Sequence, residues 1–166
     1  MKTRNMVLSA LFAALLCICA WISLPLGAVN FTLQTFGIFL ALLICGGKWG
    51  SLSIFVYIAL GSIGLPVFSG FQGGIGTLLG PTGGCIFGFM LTALVYWLAT
   101  VLLGEKIYVQ ISALILGLAA CYLCGWLWYQ QFSQINFLTW CAAYILPDCA
   151  KLALAFFLSR RLKIQT

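Results

Sequence analysis

Ionisable side chains are nearly absent from the interior of this chain. Between Met6 and Leu158 only Lys48, Glu105, Lys106, Asp148 and Lys151 carry charge, and the first three lie between long apolar runs. Runs of about 20 apolar residues fold as helices that cross a bilayer, because hydrocarbon offers the backbone no outside hydrogen-bond partner. Composition carries the same message. Of 166 residues 64% are apolar and 6% charged, with mean hydropathy +1.16, whereas soluble domains are about 25% charged. A soluble domain of this size buries only about 70% of its surface, and disorder is excluded by the same figures. The length accommodates six or seven crossings with short loops. One membrane-embedded domain, residues 1–166, with no soluble appendage is therefore expected.

The runs divide into six expected spans. The first covers about Met6–Ser23 and is stopped by Pro25 and Gly27; it is longer than a signal-peptide core and is followed by equally apolar chain. The second covers Thr32–Cys45, ended by Gly46-Gly47, and the third Trp49–Gly64, ended by Leu65-Pro66. Both are short for a bilayer, which predicts thinning, tilt or partial re-entry. The fourth runs Thr82–Leu103, the fifth Ile107–Tyr129 and the sixth Phe137–Leu158. The first three do not repeat in the last three, so an inverted-repeat architecture is not supported. Basic residues set the orientation. Seven of the eight fall before span one, between two and three, between four and five, or after six, while the loops at about 24–31, 65–81 and 130–136 carry none. Both termini are expected in the cytoplasm. The fold class is an all-α integral membrane protein, a bundle of six transmembrane helices.

The same inventory removes most enzymes. There is no His, and Glu105 and Asp148 are the only acids, so triads, His metal sites and carboxylate pairs lack their parts. No catalytic residue, metal or cofactor is expected, and no nucleic-acid partner. The eight cysteines fall mostly inside apolar runs and read as small hydrophobes; Cys121 and Cys124 form a CxxC with no second pair or His to complete a zinc site.

Two features exceed what membrane insertion requires. From Gly61 to Gly84 the chain holds half of its eighteen glycines, with Pro66 and Pro81, a stretch expected to be neither helix nor strand. A solvated linker has no use for the interleaved Leu65, Val67, Phe68, Phe71, Ile75, Leu78 and Leu79. The stretch therefore reads as an extracellular lid between spans three and four, whose backbone N–H groups around Gly73-Gly74-Ile75-Gly76 could form an anion nest. The second feature is Asp148 with Lys151 inside span six. Intramembrane charge marks a functional site by default, and three residues of helix place the two on one face. The stripe continues through Tyr144 and Trp140, and Pro147 frees the carbonyl of Ala143. A self-neutralising structural pair is the plain alternative, but apolar replacement of such a pair is usually as stable. An aromatic-walled pocket floored by one anion and one cation suits a small polar solute.

These residues carry a family likeness. Phe31-Thr32-Leu33-Gln34-Thr35-Phe36, Gly61-Ser62-Ile63-Gly64-Leu65-Pro66-Val67-Phe68, Gly73-Gly74-Ile75-Gly76, Gly80-Pro81-Thr82-Gly83-Gly84 and the Pro147-Asp148 and Lys151 pattern resemble the biotin transporter BioY family. The resemblance covers nearly the whole chain. Cys85 departs from it, standing where the family commonly has an aromatic, usually Tyr. Members are substrate-binding S components of energy-coupling factor transporters. The resemblance implies biotin capture from outside at the plasma membrane, with a transmembrane T component and two ABC-type ATPases as partners. No Walker A pattern is present, so the ATP would be used by those partners. An S component for another vitamin, thiamine or riboflavin, is the nearest alternative; a membrane enzyme and a purely structural subunit are the others.

Biotin offers two ureido N–H donors, a ureido carbonyl, an apolar bicycle and a carboxylate. Asp148 would accept from the ureido N–H groups and Lys151 would donate to the carbonyl, with Trp140 and Tyr144 flanking the ring or tail. The carboxylate would find donors in the glycine loop (Phe68, Gly73, Gly74) or among Thr32, Gln34 and Thr35. The reverse pose, with Lys151 pairing the carboxylate, stays open. In span one, Ala10 and Ala14 stack two small residues on one helix face, a pattern that admits a close helix neighbour. Spacing alone allows an internal contact or a partner; the resemblance implies docking of the T component.

Overall fold

The computed structural model describes residues 2–24 and 30–163. Its helices are α1 (Lys2–Trp21), α2 (Gln34–Ser62), a short α3 (Ile75–Leu79), α4 (Gly83–Leu103), α5 (Ile107–Tyr129) and α6 (Phe137–Lys163). The expected stop at Pro25 and Gly27 lies outside the described residues; α1 ends at Trp21. Helices α1 and α6 run past the expected spans to include flanking basic residues, because Lys and Arg are good helix formers whose charges can reach water from an extended helix end. Among the described residues, four helices are long and apolar enough to cross a membrane: Thr3–Trp21, Gln34–Ser62, Gly83–Leu103 and Ile107–Tyr129.

The break expected between spans two and three falls where the Gly46-Gly47 pair placed it: α2 consists of two helical arms joined across Gly46 (φ 77°, ψ 176°). That conformation is open essentially to glycine alone. It folds the chain back on itself: a methyl group placed on Gly50 would lie 2.7 Å from the carbonyl oxygen of Ala41, whereas in a straight helix these residues would be about 13 Å apart along the axis. The two arms of α2 therefore pack side by side through a glycine contact.

Helix α1 lies against α2, with Leu16 and Cys19 over Gly37, and α2 also contacts α4 and α6, while α4 pairs with α5. Small residues let the backbones approach, as in membrane helix pairs generally. Thr92 of α4 fits Gly117 of α5, and Cys121 of α5 fits Gly88 of α4. Buried hydroxyls tie the elements together. Ser9 Oγ lies 3.0 Å from Ser53 Oγ, Ser51 Oγ donates to the Ala93 carbonyl at 3.0 Å, and Thr92 Oγ1 donates to Gly117 at 2.9 Å. Such bonds contribute about 0.6 kcal/mol each in a membrane protein.

Two expectations about non-helical chain need correction. A minimal antiparallel ladder, β1 (Ser23–Leu24) with β2 (Phe31–Thr32), interrupts the all-α architecture. The Gly61–Gly84 stretch is not devoid of regular structure either, since it contains a 3-10 turn at Ser69–Phe71 and helix α3. Gly64, Gly70 and Gly74 take the positive φ of its turns, and Ile75–Leu79 forms one helical turn between them and α4. The stretch is anchored throughout. Gly74 N–H donates to Gly61 O at 2.7 Å, Trp21 Nε1 donates to Pro66 O at 2.9 Å, Trp21 stacks on Phe71, and Trp128 Nε1 donates to Gly80 O at 3.0 Å.

Candidate functional site

A cavity lies where β2, the first arm of α2, the 61–84 segment and helices α4, α5 and α6 converge, with about 80 Å³ open to the centres of water molecules. Its walls include Asp148, Lys151, Trp140, Tyr144, Gln34, Thr35 and Phe68, seven of the residues singled out from sequence. Helix α6 supplies four of them from one stripe, and the ladder delivers Phe31 and Thr32 opposite. Gly73 and Gly74 do not line it. Gly74 donates its N–H to the Gly61 carbonyl, which removes that one group from the expected anion nest, and Gly73 packs against the Leu65 carbonyl. Ser69, Thr77 and Thr82 face the cavity from this side instead. Ala10 and Ala14 are exposed on the outer face of α1, away from the buried Ser9 and Ala13.

The charged pair is buried, Asp148 at 4% exposure and Lys151 at 7%. Burial of two charges is offset only when geometry is good and remaining donors and acceptors are filled. Here they are. Lys151 Nζ donates to Asp148 Oδ1 at 2.7 Å, to the Thr32 carbonyl at 2.7 Å and to Thr35 Oγ1 at 3.0 Å, which uses all three ammonium protons. It also lies 3.9 Å from the centroid of the Phe31 ring, a cation–π contact. Asp148 Oδ1 further accepts from Thr35 Oγ1 at 2.8 Å, and Oδ2 accepts from Tyr122 OH at 2.6 Å. A carboxylate has about four lone-pair sites. Three are filled, and one on Oδ2 remains.

Aromatic surface surrounds this polar centre. Trp140, nearly fully buried, packs with Tyr144 at 5.7 Å and with Tyr129 at 5.0 Å between ring centroids. Phe68 meets Tyr57 edge-on at 5.6 Å. Gln34 links the floor to the 61–84 segment, its Nε2 donating to Tyr57 OH at 2.5 Å, which donates to Val67 O at 3.2 Å. Cys85 lies in the wall where the family resemblance leads one to look for an aromatic, with Cys121 beside it; no disulfide is formed among the described residues.

Sequence reasoning missed Tyr122, although it holds the free end of Asp148. The only local signal is a hydroxyl inside an apolar run, and that run holds Tyr108 and Tyr129 as well. The choice among them rests on the packing of α5 against α6. The Phe31 ring and Thr32 carbonyl were equally hidden, because they reach Lys151 through the ladder.

With this geometry in place, comparison with known proteins is direct. The model of the BioY family matches residues 1–166. The chain belongs to the BioY family. Among relatives of this BioY-family chain, the probable biotin transporter BioY of Pyrococcus horikoshii is 40% identical over 168 residues, covering 100% of both chains. The biotin transporter BioY of Thermotoga maritima is 48% identical over 103 residues, 62% of this chain and 59% of that one. Among solved structures, the S component for biotin from an ECF-type ABC transporter superposes with a TM-score of 0.85 at 30% identity, over 99% of this chain and 93% of the other. Its helical architecture is therefore that of an S component.

Proposed function

We propose that this protein captures biotin from outside the cell for uptake, as the substrate-binding S component of an energy-coupling factor transporter in the plasma membrane. The observation that carries the reading is the buried Asp148–Lys151 pair in the wall of an aromatic-lined cavity, in a chain whose relatives carry the name biotin transporter. The family is one of transporters, not enzymes. Biotin is the cargo, no resident cofactor is required, and a transmembrane T component with two ABC-type ATPases supplies the energy.

The hydrogen-bond inventory favours one pose. Asp148, though buried, keeps an open lone pair suited to a ureido N–H, whereas Lys151 has no proton to spare without releasing Thr32 or Thr35. Lys151 serves first to hold the carboxylate, then to exchange its Thr35 bond for the ureido carbonyl. A valerate carboxylate placed here would meet the negative charge of Asp148, so it points toward Ser69 and Thr82. Trp140, Tyr144 and Phe68 cover the apolar bicycle, and Gln34 and Thr35 complete the polar rim. Gly73 and Gly74 act indirectly, by shaping the segment that closes over the ligand as a lid.

The wider arrangement follows from charge. One membrane-embedded domain crosses the bilayer six times, counting the arms of α2 separately and including α6, with both termini in the cytoplasm and the 61–84 lid outside. Ala10 and Ala14 offer the T component a close-packed face on α1. Isothermal titration of the purified protein tests the central claim: saturable, tight binding of biotin is expected, with thiamine and riboflavin silent. Silence toward biotin would remove it.

A further inference from the structure

Helices α5 and α6 separate beyond the Tyr122–Asp148 hydrogen bond and leave an apolar cleft of about 500 Å³, distinct from the cavity on the other side of that bond. Small side chains, Ala119, Cys149 and Ala153, leave the space, and Ile115, Ile145 and Phe156 border it. The α6 wall is one stripe at helical spacing, Ile145, Cys149, Ala153 and Phe156, and the same stripe continues to Arg160. The Arg160 guanidinium lies over the Phe156 ring, 5.8 Å from its centroid. On the opposite wall Ile111 is the lining residue nearest the start of α5, which Lys106 precedes as the N-cap, its ammonium 5.8 Å from the Tyr108 ring centroid. Lys106, Arg160 and Arg161 are all exposed at this end. The nearby acid does not offset them: a Glu105 carboxylate oxygen lies 3.7 Å from where a methyl on Gly46 would sit, at the bend of α2.

A narrow apolar slot in a bilayer, open along its length and basic at one mouth, has the form of a lipid site. We infer that the α5–α6 cleft holds one acyl chain of an anionic glycerophospholipid, with its phosphate between Arg160 and Lys106. Basic pockets between membrane helices recognise anionic headgroups in this way. The chain of the lipid fills the slot up to Tyr122, and α1, with its alanine face, packs on α2 and leaves this side open to lipid.

Native mass spectrometry of the full chain in detergent tests this without any biotin present. Phosphatidylglycerol and phosphatidylcholine with identical acyl chains are titrated in turn. The parent should retain one phosphatidylglycerol in preference to phosphatidylcholine. Arg160→Gln and Lys106→Gln should each weaken phosphatidylglycerol about fivefold and phosphatidylcholine less, because its choline already offsets the phosphate charge, so the preference shrinks, while Glu105→Gln leaves the preference in place. Ala153→Phe should displace both lipids by filling the slot. Equal retention of the two lipids by the parent, or an unchanged preference in Arg160→Gln, would overturn the site. Should Ala153→Phe fail to fold, the arginine variant decides alone.

Discussion

Asp148 is held by three donors, from Lys151, Thr35 and Tyr122, and each limits how the carboxylate can turn. Asp148→Asn keeps the shape but aims N–H groups where acceptors were. Losing a charged hydrogen bond in a dry site costs about 2–4 kcal/mol, so biotin affinity should fall about 30- to 1000-fold. Lys151→Met should lose on the same scale and Glu105→Gln, exposed and distant, almost nothing; titration calorimetry on the three proteins reads the difference. Tyr122→Phe removes only one orienting donor. A weaker loss of about tenfold is expected, equivalent to about 1.4 kcal/mol, and an affinity equal to the parent would show that Asp148 needs no support from α5.

Among the elements, α2 depends on its bend. Gly46 occupies a region of backbone space that is strained for any side chain, at about 1–3 kcal/mol. Gly46→Ala should therefore lower thermal stability in detergent by that amount, while the flanking Cys45→Ala should not, and equal melting of the two would discount the strain. Helix α1 has two faces with different duties. Ser9 and Ala13 point into the bundle, Ser9 bonding to the Trp49 carbonyl at 3.0 Å, whereas Ala10 and Ala14 are exposed. Ala10→Trp and Ala14→Trp should block assembly with the T component and energised uptake, with biotin binding by the solitary protein intact. Both are measured in one preparation, and loss of binding together with uptake would remove the docking assignment.

For the molecule as a whole, the prediction is topological. With the basic residues on the cytoplasmic side, an impermeant thiol reagent applied to intact cells should label Ser69→Cys and Gln134→Cys and spare Lys163→Cys, on a cysteine-free background that retains uptake. The opposite pattern would invert the orientation. The position of the cavity follows from this arrangement, since Ser69 and Asn30, joined at 3.1 Å, both face it from the side of the chain that lacks Lys and Arg.

Apolar runs and their charged ends were enough to mark the long helices, with Ile107–Tyr129 matching at both ends and α1 and α6 running on into their basic flanks, because a bilayer selects helix length and excludes charge at every residue independently. Asp148, Lys151, Tyr144 and Trp140 were legible for the same kind of reason: two charges where hydrocarbon forbids them, on a stripe set by helical period alone. What needed the tertiary structure was everything made by elements meeting. The break at Gly46 was legible, since paired glycines stop a helix, but the close packing of the two arms, with Gly50 on the Ala41 carbonyl, was not. Tyr122 finds Asp148 only because α5 and α6 pack at one register, and the Thr32 carbonyl reaches Lys151 only through a two-residue ladder. The Gly74 N–H, available in principle to an anion, was claimed by the Gly61 carbonyl once the chain folded. Local patterns report what each residue tolerates, whereas a site depends on which distant residues share it, and that is settled by packing.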